Sequence, residues 1–427
     1  MLHSQTAVHL RFLLNSSRKA SQPFLGNQSH GLFEGQSAPA TLGSVRLRHS
    51  RVSNTFDIRT MEKLEELGDI TRLSDHVVRV LGQNPGKFTL QGTNTYIIGS
   101  QNPYILIDTG EGLPAYTPIL NNALEGLANP TQPDVSDVVL SHWHHDHVGG
   151  LPAVLNLLKE RWESRNPGQT YTPPRLHKHP FKEDAIGAHH TEHNQLPKVL
   201  EKTNPELFTP PPNGGPFHDL ADGQTFKDPV NGATLLRVLH TPGHTADSIC
   251  LYIPQDRALY TADTVLGHGT AVFEDLASYL SSLNKMLHFG SASSLHIHTE
   301  KDIDLEYVSL YPAHGAIVSE GRETISTYIK HRLEREDQIL AVIKSPVPAE
   351  LLGEVSSTPS EDDNLWTTWT IVRVLYKAYP ENLWLPAARG VDLHLRKLES
   401  DGLVKRQGGE GVKTKWRLLS SRNSPNL

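Results

Sequence analysis

Residues 138–150, VVLSHWHHDHVGG, decide how this chain is read. An apolar run of the kind that fills a buried strand stops at Leu140. His142, His144, His145, Asp146 and His147 follow at once. Imidazole and carboxylate are the donors a borderline cation such as zinc takes when no thiolate is at hand. The chain has one cysteine, Cys250, and 24 histidines. One cysteine can make neither an internal disulfide nor a thiolate cluster, so any metal must be held through nitrogen and oxygen. A turn directly after a strand can aim side chains two apart at one ion while their neighbours reach a second.

Working outward, the same arrangement recurs. His244 lies in HTPGHT (240–245), Asp263 in YTADT (260–264) and His314 in YPAHG (311–315), each just past a β-like run. Asp108 in LIDTG (106–110) ends an earlier run and is read as a group that orients a ligand imidazole. Asn94 in TNTY is read as a turn residue. Strand ends that converge are where an α/β sheet builds its site. Between them lie helical stretches at 117–127, 151–162, 276–287 and 322–343, and this alternation points to a layered α/β domain.

Three stretches break the rhythm. Residues 164–218 and 290–306 are irregular, Pro-rich or His-rich, and read as insertions. His177, His179, His189, His190 and His193 in the first are read as belonging to a solvated loop rather than to another metal site. The Gly-rich LGQNPGKFTLQGTN (81–94) lacks the Lys-Ser/Thr ending of a phosphate loop and reads as a border of the active site.

The length of 427 residues accommodates one large α/β domain, placed at 61–343, and a small module. A linker rich in Pro, Ser and acids spans 344–365. Beyond it, over 366–427, come two amphipathic helices, with Gly402 just past the second, and a basic hairpin, an order that resembles a winged helix. Residues 1–60 are rich in Ser and Arg and read either as a mitochondrial transit peptide or as a disordered extension. No apolar run reaches the roughly 18 residues of a membrane-spanning helix. The net charge is −7, with +5 over 1–60 and +6 over 366–427, which leaves −18 for 61–365.

HWHHDH, TPGHT, Asp263 and PAHG together resemble the metallo-β-lactamase superfamily of dinuclear metal hydrolases. RVLGQNPGKFTLQGTNTYIIG, LIDTGEG, LGHGTAVFEDL and the C-terminal module look like the branch that holds β-lactamase-like protein 2 and the fungal lactamase-type polyketide thioesterases. The resemblance implies an αββα sandwich with two zinc ions. It assigns His142, His144 and His244 to one ion and Asp146, His147 and His314 to the other. Asp263 would bridge both, and Asp146 would also be able to accept a proton. His145 fills the variable position of the motif.

Two enzymatic functions follow from such a centre. In the favoured one, hydroxide attacks the thioester carbonyl of an acyl chain carried by the acyl carrier protein of a polyketide synthase. A thiolate leaves readily, so no dedicated acid is required. In the alternative, implied by the resemblance to β-lactamase-like protein 2, the substrate is single-stranded RNA. Nucleic acid calls for a basic track, which a region at −18 hosts poorly. A remote third reading is a non-enzymatic DNA-binding sensor. The thioesterase reading places the protein in the cytoplasm, and a genuine transit peptide would place it in mitochondria.

Overall fold

The computed structural model describes residues 64–125, 129–180, 194–290, 305–351 and 365–419. The expected extension over 1–60, the histidines His189, His190 and His193, and most of the 290–306 stretch and of the linker lie outside these residues.

Two sheets stack face to face with helices on both outer sides. The first holds β1 (Ile70–Arg72), β2 (Val77–Leu81), β3 (Asn94–Ile98), β4 (Tyr104–Ile107), β5 (Val135–Leu140), β6 (Arg175–Lys178) and β7 (His218–Asp219), in chain order. It is antiparallel up to β4 and parallel from β4 to β7. The second holds β8 (Thr225–Lys227), β9 (Thr234–His240), β10 (Ile249–Ile253), β11 (Ala258–Ala262) and β12 (Ser309–Pro312). It is antiparallel except between β11 and β12. Helices α1 (Tyr116–Ala123), α2 (His145–Val148), α3 (Leu151–Arg165) and α4 (Leu196–Glu201) belong to the first sheet's side, and α5 (Leu276–His288) and α6 (Gly321–Lys344) to the second's.

The central strands read as unbroken apolar runs because both of their faces are covered. In β4, Tyr104 and Leu106 join the cluster made with α1 and α3, while Ile105 and Ile107 join the cluster between the sheets. In β10, Ile249, Leu251 and Ile253 point between the sheets, and Cys250 and Tyr252 point at α5 and α6. The expected αββα layering is therefore what the period-two alternation of side chains produces when each sheet has a helical cover.

The reading of 164–218 as irregular needs correction. β6 and β7 come from inside this stretch and extend the first sheet in parallel. His177 is buried on β6, with Nε2 2.7 Å from Asp137 Oδ1, and His179 stacks on His240 with ring centroids 3.7 Å apart. Neither belongs to a solvated loop. The strand RLHK has only four residues, flanked by Pro173, Pro174 and Pro180, too few for a period to be visible.

The C-terminal module holds β13 (Trp366–Thr367), α7 (Thr368–Leu375), α8 (Trp384–Ser400), β14 (Val404–Gly408) and β15 (Lys415–Leu418), with strand order β13-β15-β14. Thr367 and Thr370 form a reciprocal cap at the start of α7. α8 opens at Trp384 with Pro386 in its first turn, where a missing N–H costs nothing. Ile339, Val342 and Ile343 of α6 enter the module's core beside Trp366, Leu395 and Trp416. Ile325 and Tyr328 of the same helix pack under the second sheet. One 24-residue helix thus serves both cores.

Candidate metal centre

β5, β9, β11 and β12 end at one edge of the sandwich, and each hands its next residues to the same place. Cross-links between the sheets fix that edge. The N–H of Ile249 donates to the Ser141 carbonyl at 3.1 Å, and the N–H of Asn94 donates to the Ala313 carbonyl at 2.7 Å. Asn94, read from sequence as a turn residue, is instead buried on β3, and its amide donates to the carbonyls of Pro312 and Gly315 on either side of His314. Two glycines are required by close approach. A Cβ on Gly150 would lie 2.0 Å from the Thr109 carbonyl oxygen, and one on Gly243 would lie 2.3 Å from Tyr279 Cα.

The side chains form two groups, His142 with His144, His244 and Asp263, and Asp146 with His147 and His314. In the first, three ring nitrogens face one another: His142 Nε2 to His144 Nδ1 at 3.0 Å, His244 Nε2 to His144 Nδ1 at 3.0 Å, and His244 Nε2 to His142 Nε2 at 3.2 Å. Ligands about 2.05 Å from a tetrahedral zinc stand roughly 3.3 Å apart, close to this triangle. In the second, His147 Nε2 and His314 Nε2 lie 3.3 and 3.2 Å from Asp146 Oδ2. Asp263 spans the two. Its Oδ2 is 3.6 Å from His244 Nε2, and its Oδ1 is 3.3 Å from His147 Nε2 and 3.1 Å from His314 Nε2. His145 is exposed and stands outside both groups.

The donor set fits divalent metal. His147 Nε2 and Asp263 Oδ1 are buried, face each other, and have no hydrogen-bond partner. Burial, followed by the neighbouring imidazoles, holds His142 well below the ordinary histidine range and brings His144 down to about 3. Both are therefore neutral, which is the ligating form. In the second group burial also opposes the charged imidazoles, but carboxylates outweigh it. Asp146, Asp263 and Asp108 raise His147 well above its usual value, and Asp263 and Asp146 raise His314 to about 9. Burial would raise Asp146, yet His147 and His314 hold it well below the carboxylate range. Three carboxylates in a buried site demand positive charge there, which a divalent cation would supply.

Asp108 stands behind His147. It accepts the His147 Nδ1–H at 2.8 Å, the Ser141 N–H at 2.7 Å, the Ser141 hydroxyl at 2.8 Å and the Tyr260 hydroxyl at 2.5 Å. This leaves His147 Nε2 as the free donor. Asp108 and Ala262, the residue before Asp263, both adopt left-handed backbone, with φ of 59° and 45°. Such positions cost on the order of 1–3 kcal/mol each and persist where surrounding structure dictates them. Thr93 donates to Asp146 Oδ2 at 3.2 Å and is itself held by Asn84 at 3.0 Å, so the Gly-rich loop does border the site. Sequence reasoning missed Ser141, Tyr260 and Thr93, whose hydroxyls look like ordinary strand residues until the fold aims them. Burial pushes the Cys250 thiol up to about 11, so it is no nucleophile.

Residues 88–314 match the family described as the metallo-beta-lactamase superfamily, and residues 367–416 match the beta-lactamase associated winged helix domain. The chain belongs to the metallo-β-lactamase superfamily and is a hydrolase of that fold with the associated winged helix following it. A beta-lactamase-like protein 2 homolog of Drosophila melanogaster is 35% identical over 338 residues, covering 79% of this chain and 92% of that protein. An atrochrysone carboxyl ACP thioesterase of Claviceps purpurea is 33% identical over 282 residues, 66% of this chain and 70% of that one. The crystal structure of a metallo-beta-lactamase family protein from Thermus thermophilus shares the fold, with TM-score 0.52 and 20% identity over 82% of this chain and 100% of that one.

Proposed function

We propose that this chain is a dinuclear zinc thioesterase that releases an acyl chain of polyketide type from an acyl carrier protein. The observation that carries the reading is the Asp263 carboxylate, which turns one oxygen to each of two donor sets. His142, His144 and His244 would hold one ion, Asp146, His147 and His314 the other, and Asp263 both. When bound, such ions bring the pKa of a shared water from about 15.7 to near 7 and polarise a carbonyl oxygen.

The chain's own residues fix the geometry for this. Asp108 locks the His147 tautomer, and Thr93 holds Asp146 Oδ2. Asp146 is the more open carboxylate, its side chain 22% exposed against 14% for Asp263, and a proton leaving the site for solvent passes it. Its depressed pKa makes it a ligand first and a proton acceptor only in transit. A thioester suits the donor set, because a thiolate leaves without being protonated. The relatives named as carboxyl ACP thioesterases support this substrate class.

Cleavage of single-stranded RNA is the second reading, and the exposed Lys405, Arg406 and Lys413 of the winged helix favour it. The −18 carried by residues 61–365 opposes it. Against the DNA-binding sensor stands α8, the helix that would read a groove, since its Leu393 and His394 turn into the catalytic domain. Zinc-loaded protein offered an acyl-phosphopantetheinyl carrier protein and a fluorescent single-stranded RNA should hydrolyse only the first, and Asp263→Ala should not. Cleavage of RNA alone would reverse the assignment.

A further inference from the structure

We infer that the winged-helix module acts as a buttress of the metal centre, with Arg332 and His394 as positioning residues for His244. The inference rests on the reading of His244 as a ligand.

His244 is oriented by one hydrogen bond. Its Nδ1 donates to the carbonyl of Val272 at 2.7 Å, which leaves Nε2 facing His142 and His144. A ring nitrogen anchored in this way fixes both the tautomer and the aim of the other nitrogen. Val272 itself belongs to a strap, residues 266–275, that has no regular structure and makes no ladder of its own. Its two ends are tied by backbone bonds, Gly267 N–H to the His314 carbonyl at 2.8 Å and Glu274 N–H to the Gly243 carbonyl at 2.7 Å, and the stretch between them, with the Val272 carbonyl, needs support of its own.

That support comes from below. Tyr328 of α6 donates its hydroxyl to the Gly269 carbonyl at 2.9 Å, and Arg332, one turn on, donates Nη2 to the Ala271 carbonyl at 3.0 Å. The Arg332 guanidinium also lies over the Phe273 ring, 4.8 Å from its centroid. Phe273 stacks on Tyr279 at 5.1 Å and meets His394 of α8 edge-on, at 6.4 Å and 89°. The two residues that flank Val272 are thus gripped by Arg332, and one of them also by the winged helix.

His394 is only 4% exposed and cannot move freely. Its Nδ1 is 3.7 Å from Glu336 Oε1, and Lys397, one turn on, binds Glu336 Oε2 at 2.9 Å. Leu393 packs into the cluster under the second sheet. The side of α8 that carries Leu393 and His394 is spent on this contact. The module therefore does for His244 what Asp108 does for His147, through a carbonyl instead of a carboxylate.

The test uses the full chain and three variants. Arg332→Met keeps the apolar stem but removes the donor and the cation. His394→Ala removes the edge of the ring. Arg396→Met cuts an exposed ion pair to Asp392 within the same helix, away from the strap. Cobalt(II) titration, followed by the absorption bands of each occupied site, should show affinity at His142, His144 and His244 falling about 10- to 100-fold in the first two variants. The Asp146, His147 and His314 site and the Arg396 variant should match the wild type.

Imidazole nitrogen-15 spectra of the metal-free protein provide a readout independent of metal. The wild type should show His244 as the Nδ1–H tautomer, and Arg332→Met should show it mixed. Equal weakening of both sites, or wild-type affinity and tautomer in a folded Arg332 or His394 variant, would overturn the inference. Failure of the wild type to take up metal would instead sink the reading of the site, while the tautomer measurement would still decide this one. Should Arg332→Met fail to fold, His394→Ala decides alone.

Discussion

The two donor groups lie side by side at one sheet edge and yet differ in what they ask of a cation. His142, His144 and His244 offer lone pairs, and burial keeps His142 and His144 neutral. Asp146, His147 and His314 offer charge, and their imidazoles are held protonated by the carboxylates around them. The first group is pre-set for metal, whereas the second must exchange protons for it. Asp263 is the one side chain that belongs to both, so the comparison can be broken or sharpened residue by residue.

The largest effect is expected at that bridge. Asp263→Ala should abolish turnover and weaken both ions by more than the roughly 10- to 100-fold that loss of an outer partner costs, because a ligand itself is gone. Metal content after dialysis reports it. One ion retained at full affinity would show that the carboxylate does not bridge.

Next comes pH. A cation entering the second group must displace the proton on His314, which is bound below about 9, and that on His147, which the surrounding carboxylates also raise well above its usual range. Affinity there should fall at least about tenfold for each unit that pH drops below 9. His142 and His144, both held well below this window, have no acidic proton to release in it, so the first group should lose less affinity than the second between pH 8 and 6. Parallel pH profiles at the two sites, measured by competition with a chelator, would contradict the contrast.

A smaller change is expected for Tyr260→Phe. It removes one of the four donors on Asp108 and leaves the His147 bond in place. The second group should lose about tenfold in affinity, and the protein about 1 kcal/mol of stability. The first group should be untouched in the same titration. His145→Ala should change neither site, since the ring is exposed and outside both groups, and activity within twofold of wild type would bear that out.

Much of this was legible in the chain. A layered α/β domain follows from the alternation of apolar strands with helices, its αββα form from the family resemblance, and the donor residues announce themselves by type, crowded behind Leu140 or alone behind later strands. The winged helix was visible through its two amphipathic helices and Gly402. β6 was not, since four residues between prolines carry no period. Nor was the role of Asn94, which looks like a turn residue and in fact ties β3 to the loop that carries His314.

The amino-acid order by itself determined the chemical inventory: one buried thiol, imidazoles and carboxylates at strand ends, and an acidic body with a basic module. Those are properties of residue type and of local period, which need no partner. Only the tertiary structure decided which donors face one another, that Asp263 divides its oxygens between two groups, and that Arg332 and His394 reach the strap behind His244. Such contacts join residues far apart in the chain, 102 positions for His142 and His244 and 61 for Arg332 and Ala271, and they exist only once the sheets have stacked.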